Sequence, residues 1–208
     1  KATSLCACAA SPVIAVGGAN GALHVFVRTP SALILVEHLA LSSQGAILGA
    51  AFSPDGEWLV VSCGGGGPSG GGTLVWLTIS DAGIAPLCAC ELAAPATTLS
   101  WAPGTRLLVG LCSGVVAQLA LPDAVGHPDA GHGLTRVAFA TLLPRCVRLL
   151  SAPAAVACSD ANTFHALGAD GIVRVYSLGA EAPPPDNLDT LAVTVPAVEL
   201  SPRHAKGT

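Results

Sequence analysis

The chain has 208 residues, a formal net charge of −4 and a charged fraction of only 11%, whereas 51% of its residues are hydrophobic. Its nine Lys and Arg residues are scattered and form no basic stripe, which argues against binding to a nucleic-acid backbone. No uninterrupted apolar run approaches the roughly 18 residues of a membrane helix, so we expect no membrane span. The 24 Gly and 16 Pro residues punctuate the chain and helical periodicity is nearly absent, which predicts an all-β fold.

In chain order, the first predicted strands are SLCACAA, VIAVGG and ALHVFV. Asn20-Gly21, between the second and the third strand, favours a type I′ hairpin. The segment LILVEHLAL, residues 33–41, predicts an outer strand on which His38 faces solvent. The four strands together form a small meander that cannot bury both of its faces alone.

The clearest unit covers residues 49–79. A short strand leads into the turn SPDG, in which Pro54 presets φ, Asp55 follows, and Gly56 tolerates a positive φ. The mostly apolar strand Glu57 to Cys63 comes next, and it is expected to be buried on both faces. A glycine-rich hairpin connects it to a third strand that is rich in β-branched residues and carries Trp76.

This unit recurs along the chain. Phe52 and Pro54 map onto Trp101 and Pro103, each 49 residues later. The place of Trp76 is taken by an aromatic residue in two further copies, Phe26 in VIAVGGANGALHVFVR and Tyr176 in TFHALGADGIVRVYSL. The spacing also predicts an insertion in the hairpin at residues 64–72 and an irregular stretch at 141–162. In that stretch, residues 154–158 are either part of a long excursion or an extra strand.

A strand, an SPDG turn, a strand, a hairpin and a strand carrying an aromatic residue resemble one blade of a WD40-repeat β-propeller. The resemblance implies about four blades of four antiparallel strands, over residues 1–43, 44–93, 94–130 and 131–190. Residues 191–208 would begin a fifth blade, because Leu200-Ser201-Pro202 repeats the pattern of Phe52-Ser53-Pro54. Rings of this family most often have more blades, so the segment is expected to belong to a larger propeller whose remaining blades come from the rest of a larger chain. The rival is a closed four-bladed ring, in which a strand at residues 192–200 returns to pair in the first blade.

The resemblance also implies a set of structural residues. In family members a His, a strand Ser or Thr, a turn Asp and a Trp share hydrogen bonds, and His132, Asp170 and Tyr176 match three of those places here. The Trp-Asp dipeptide of the family is absent from every blade, so the repeats are degenerate. The predicted structural-motif residues are Pro54, Asp55, Gly56, Trp76, His132, Asp170, Gly171 and Tyr176.

Catalytic, cofactor and metal sites are not expected. Gly67-Pro68-Ser69-Gly70-Gly71 matches the G-x-S-x-G pattern, but a strand rather than a helix follows Ser69, and the same loop lacks the Lys-Ser/Thr of a phosphate loop. The eight Cys form no C-x-x-C pair, so we interpret them as reduced, metal-free and mostly buried. A metal held by His127, Asp129 and His132 is less favoured than an ordinary loop.

The predicted function is a non-catalytic platform for protein–protein interaction within a multi-subunit assembly. Reduced cysteines predict a cytoplasmic location. Chains rich in Ala and Gly with degenerate repeats resemble large WD-repeat proteins of cilia and centrioles, which adds a ciliary or cytoskeletal setting as a finer expectation. The alternative is a small-molecule-binding or lactonase-type propeller enzyme, which requires carboxylates, His or metal ligands gathered at the central channel.

Overall fold

The computed structural model describes residues 1–41, 45–64, 70–80, 83–102, 106–120, 135–138, 145–149, 152–159 and 163–177. Within these ranges all regular secondary structure is β-strand. The strands are β1 Ala2–Ala7, β2 Val13–Gly18, β3 Ala22–Arg28, β4 Leu33–Ala40, β5 Ile47–Phe52, β6 Trp58–Cys63, β7 Gly72–Ser80, β8 Gly83–Leu92, β9 Ala96–Ala102, β10 Arg106–Leu111, β11 Val115–Ala120, β12 Thr135–Ala138, β13 Arg145–Arg148, β14 Pro153–Cys158, β15 Thr163–Gly168 and β16 Val173–Ser177. The all-β prediction is confirmed.

The strands form four sheets that follow one another along the chain. The first sheet has the order β1-β2-β3-β4, and the second has the order β5-β6-β7-β8 with β12 added beside β8. The third sheet has the order β9-β10-β11-β13, and the fourth contains β14-β15-β16. All neighbouring strands are antiparallel except β12 and β8, which are parallel.

Two strands differ from the predicted blade limits. The sequence placed residues 131–190 in one blade, but β12 pairs with β8 of the second sheet and β13 pairs with β11 of the third. The physical reason is the length of the chain between Ala120 and β14. It is long enough for β12 to reach the free edge at β8 and for β13 to reach the free edge at β11. In the irregular stretch, β14 is a strand paired with β15, so residues 154–158 are the first strand of the fourth sheet.

The sheets stack face to face, and the first strand of each sheet contacts the first strand of the next. β1 contacts β5, β5 contacts β9, and β9 contacts β14. Three apolar clusters fill the spaces between successive sheets: one around Leu23 and Leu59, one around Trp76 and Leu107, and one around Phe164. Successive side chains of a strand point to opposite faces of its sheet. The second and third sheets each lie between two others, so both of their faces are buried. This explains why β6 and β10 are apolar along nearly their whole length.

Glycine allows the close approach of neighbouring sheets at two points. A Cβ built on Gly17 of β2 would collide with the side chain of Ile47 in the second sheet. A Cβ built on Gly110 of β10 would lie 2.9 Å from Cγ of Pro153 in the fourth sheet. The backbones therefore pack more closely there than any larger residue permits. No helix in the described part of the chain is long and apolar enough to span a membrane.

Candidate interaction face

The turn at residues 53–56 is held by its own side chains. The Ser53 hydroxyl donates to Asp55 Oδ1, which also accepts from the backbone N–H of Glu57 at 3.0 Å. The Trp58 N–H donates to Ser53 Oγ at 2.9 Å, and Gly56 adopts a φ of 80°. The hydrogen bond from Ser53 and that from the Glu57 amide lower the pKa of the Asp55 carboxyl. The carboxylate is thus committed to the turn, and Pro54 beside it is exposed.

Trp76 of β7 lies in the core between the second and third sheets. It is 1% exposed and meets the ring of Trp101 edge to face, with ring centroids 6.0 Å apart at 81°. Trp101 Nε1 donates to the carbonyl of Ala51 at 3.2 Å, and so ties the third sheet to the second. Trp76 Nε1 has no hydrogen-bond partner among the described residues. In WD40 family members this Trp shares hydrogen bonds with a His, a Ser or Thr and an Asp. Trp76 makes no such bond with a described side chain.

Asp170, Gly171 and Tyr176 lie in and after the β15–β16 turn. Gly171 has a φ of 77°, and Asp170 Oδ1 accepts from the N–H of Ile172 at 3.2 Å. The other carboxylate oxygen pairs with Arg174 at 2.8 Å, where the Arg174 side chain is only 9% exposed. Sequence reasoning missed this Arg, although its position four residues after a turn Asp is a signal for such a pair. His132, the expected partner of Asp170, lies outside the described residues.

Tyr176 packs against its cross-strand neighbour. It lies opposite Phe164 in the register, and the rings stack with centroids 5.4 Å apart at 18°. Both residues belong to the cluster between the third and fourth sheets. Tyr176 thus has a packing role in the fourth sheet, as an aromatic residue on the third strand of a repeat would predict.

Seven cysteines are described as free thiols: Cys6, Cys8, Cys63, Cys88, Cys90, Cys112 and Cys158. Burial raises the pKa of Cys6 and Cys90 to about 12 and that of Cys63 and Cys88 to about 11. These four groups stay protonated at neutral pH, and a thiol in that state is a poor nucleophile and metal ligand. The described residues contain no group of three or more His, Cys, Asp or Glu side chains that could hold a metal ion. Ser69 lies outside the described residues.

One face of the first sheet is left without a partner sheet in the described structure. The opposite face packs on the second sheet through residues such as Ala15, Leu23 and Val25, each 0% exposed. The uncovered side chains align across all four strands in two registered rows. We call them the open face: Leu5, Ala7, Ile14, Val16, His24, Phe26, Leu35 and His38.

The open face is mainly apolar and partly exposed. Leu5 is 73% exposed and Leu35 is 52% exposed, while Ile14, Val16 and Phe26 are half-buried. None of the eight belongs to a core cluster of the described residues. Six of the eight side chains are apolar, like those of the clusters between the sheets, and the other two are His24 and His38. The six apolar side chains suit burial against another apolar surface.

Comparison with solved structures places this architecture among WD40 β-propellers. The chain is similar to the C-terminal WD40 domain of Sif2, with a TM-score of 0.54 and 18% identity over 86% of this chain and 46% of that one. It is also similar to the β-propeller domain of Cps50 (Swd1) from Myceliophteria thermophila, with a TM-score of 0.58 and 11% identity over 85% of this chain and 53% of that one. No protein-family model and no curated protein sequence matches. The chain thus has the WD40 propeller fold and spans about half the length of these two structures.

Proposed function

We propose that the chain is a non-catalytic scaffold, a segment of a WD40-type propeller that binds other proteins within a multi-subunit assembly. The open face is the observation that supports a propeller with further blades, and the likeness to WD40 propellers supports the scaffold role. Apolar faces of this kind are buried wherever two sheets of this chain meet, so an exposed one indicates a surface that is covered in the functional protein. We propose that the cover is a further blade, supplied by the rest of a larger chain.

The likeness to Sif2 and Swd1 also supports the propeller part of this proposal. It gives the fold, and it gives room for further blades, since the chain covers 46% and 53% of those two structures. The cytoplasmic location and the ciliary or cytoskeletal setting remain proposals that rest on the free thiols and on the resemblance to degenerate, Ala- and Gly-rich WD-repeat chains.

The lactonase-type alternative needs carboxylates or His side chains that converge at the central channel. The two turn carboxylates of the described structure do not supply them, because Asp55 bonds within its own turn and Asp170 pairs with Arg174. The interaction platform therefore has the stronger support.

The test uses the 208-residue chain and three variants of it. Leu5→Asp and Leu35→Asp each place a charge on the open face. Ile34→Asp is the matched control for Leu35→Asp. Ile34 lies on the same strand, β4, and is also about half exposed (51%), but it pairs with Val27 and faces the other side of the sheet.

We expect the parent chain to bind an apolar dye and to self-associate in sedimentation, because its open face is bare. Leu5→Asp and Leu35→Asp should reduce both signals more than Ile34→Asp does. A soluble monomer with a cooperative melt and no dye binding would falsify the proposal that this face is covered by another blade.

A further inference from the structure

Two histidines lie directly opposite each other on the open face. His24 of β3 pairs in register with His38 of β4, and the ring centroids are 4.7 Å apart with an interplanar angle of 48°. His24 is half-buried and His38 is exposed. Neither imidazole has a hydrogen bond to any other described residue, so their ring nitrogens are available to a ligand from solvent.

A bulge in β4 creates this pairing. From Arg28 to Phe26 the register runs Arg28↔Leu33, Val27↔Ile34 and Phe26↔Leu35. The register then shifts, so that Val25 lies opposite Glu37 and His24 lies opposite His38. Without the shift, Glu37 would lie opposite His24. The extra residue, Val36, instead moves the carboxylate to the face toward the second sheet and brings a second imidazole to the open face.

The separation of the rings fits two imidazoles on one metal ion. A metal–nitrogen bond is about 2.0–2.1 Å, and the ring nitrogen is about 1.1 Å from the ring centre. Two imidazoles that meet at one ion with an angle of about 90–110° therefore have ring centres about 4.5–5.2 Å apart. The observed 4.7 Å lies inside that interval.

The two histidines are surrounded by apolar side chains on the open face. Leu5 and Val16 continue the same row across the sheet, and Phe26 and Leu35 form the adjacent row. A metal binds the neutral form of imidazole, and no described carboxylate or cationic side chain belongs to these two rows. Because β4 is the outermost strand, the pair lies at the rim of the first sheet, where ions from solvent have access.

We propose that His24 and His38 form a two-histidine site for a first-row divalent cation of the nickel, copper or zinc type. Imidazole nitrogen prefers these ions over Mg²⁺ and Ca²⁺, which take oxygen ligands. Water fills the remaining coordination positions in the chain alone.

The experiment titrates Ni²⁺ into the full chain by calorimetry. It uses a Cys112→Ser background, because Cys112 is exposed and its thiol would compete for the metal. We expect one Ni²⁺ per chain and an affinity order of Mn²⁺, Co²⁺ and Ni²⁺ from weakest to tightest. In NMR spectra of labelled histidine, the signals of His24 and His38 should broaden first, ahead of those from the other four histidines.

His24→Gln and His38→Ala should each weaken Ni²⁺ binding by at least about tenfold, because the second imidazole no longer acts at high effective concentration. His38 is exposed, so its replacement leaves the fold intact. His165→Ala is the matched control, since His165 lies on a strand opposite Ala157 and Val175 and has no histidine across from it. Wild-type affinity in His38→Ala, an equal loss in His165→Ala, or no Ni²⁺ binding by the parent chain would each overturn the proposal.

Discussion

The two central tryptophans should respond in opposite ways to the same substitution. Replacing Trp with Phe removes about 40 Å³, which costs about 1 kcal/mol at a buried site through the cavity that remains. At Trp101 the change also removes the hydrogen bond from Nε1 to the Ala51 carbonyl, which adds about 0.5–1.5 kcal/mol. We expect Trp101→Phe to lower the free energy of unfolding by about 1.5–2.5 kcal/mol.

At Trp76 the balance is different. Its Nε1 is buried and finds no partner among the described residues, so Phe removes an unsatisfied donor whose burial costs about 1–3 kcal/mol. This gain offsets the cavity, and Trp76→Phe should be close to neutral or stabilising. The fully buried tryptophan is thus predicted to be the more replaceable of the two, which burial alone would not suggest.

The assay is urea unfolding followed by far-UV circular dichroism, because fluorescence would change with the tryptophans themselves. Trp58→Phe serves as a control for the loss of one indole at a half-buried position. A larger loss of stability in Trp76→Phe than in Trp101→Phe would show that the hydrogen-bond assignments at this interface are wrong.

Three further outcomes are expected. The pKa of Asp55 is lower in the folded chain than the unfolded value of about 3.9, so its carboxylate stabilises the fold above that pH. This stabilisation is lost as the pH falls through the folded pKa. The urea midpoints of Asp55→Asn and of the parent chain should therefore converge in acid. Asp170→Ala, which leaves the buried Arg174 without its carboxylate, should cost about 1–3 kcal/mol in chemical unfolding. In native protein a thiol reagent should modify Cys112 quickly and Cys63 slowly; equal rates would contradict their assigned burial.

Much of the fold was predictable because its signals are local. The SPDG turn needs only its own four residues, and Ser53, Asp55 and Gly56 adopt the turn that this pattern favours. The recurrent aromatic position was only partly equivalent: Trp76 is buried toward the following sheet and Tyr176 toward the preceding one, whereas Phe26 is half-buried on the open face. His38 was expected to face solvent, and it is exposed.

The remaining features depend on contacts between distant segments. The pairing of β12 with β8 and of β13 with β11 is decided by which sheet edges are free, and that information is absent from a strand's own composition. The facing of His24 and His38 depends on a one-residue bulge, which the alternation of apolar residues in LILVEHLAL does not reveal. The bond from Trp101 to Ala51 likewise joins residues 50 positions apart.

The added strand β12 has a consequence for aggregation. It occupies the outer edge of β8, whose backbone would otherwise offer unpaired N–H and C=O groups to another chain. The corresponding edge of the first sheet, β4, carries the exposed run Leu33, Ile34, Leu35 and Val36. There the bulge at Val36 interrupts the regular spacing of the edge groups, and this irregularity hinders edge-to-edge growth. The two outer edges are therefore protected by different means, one by a covering strand and the other by a break in regularity.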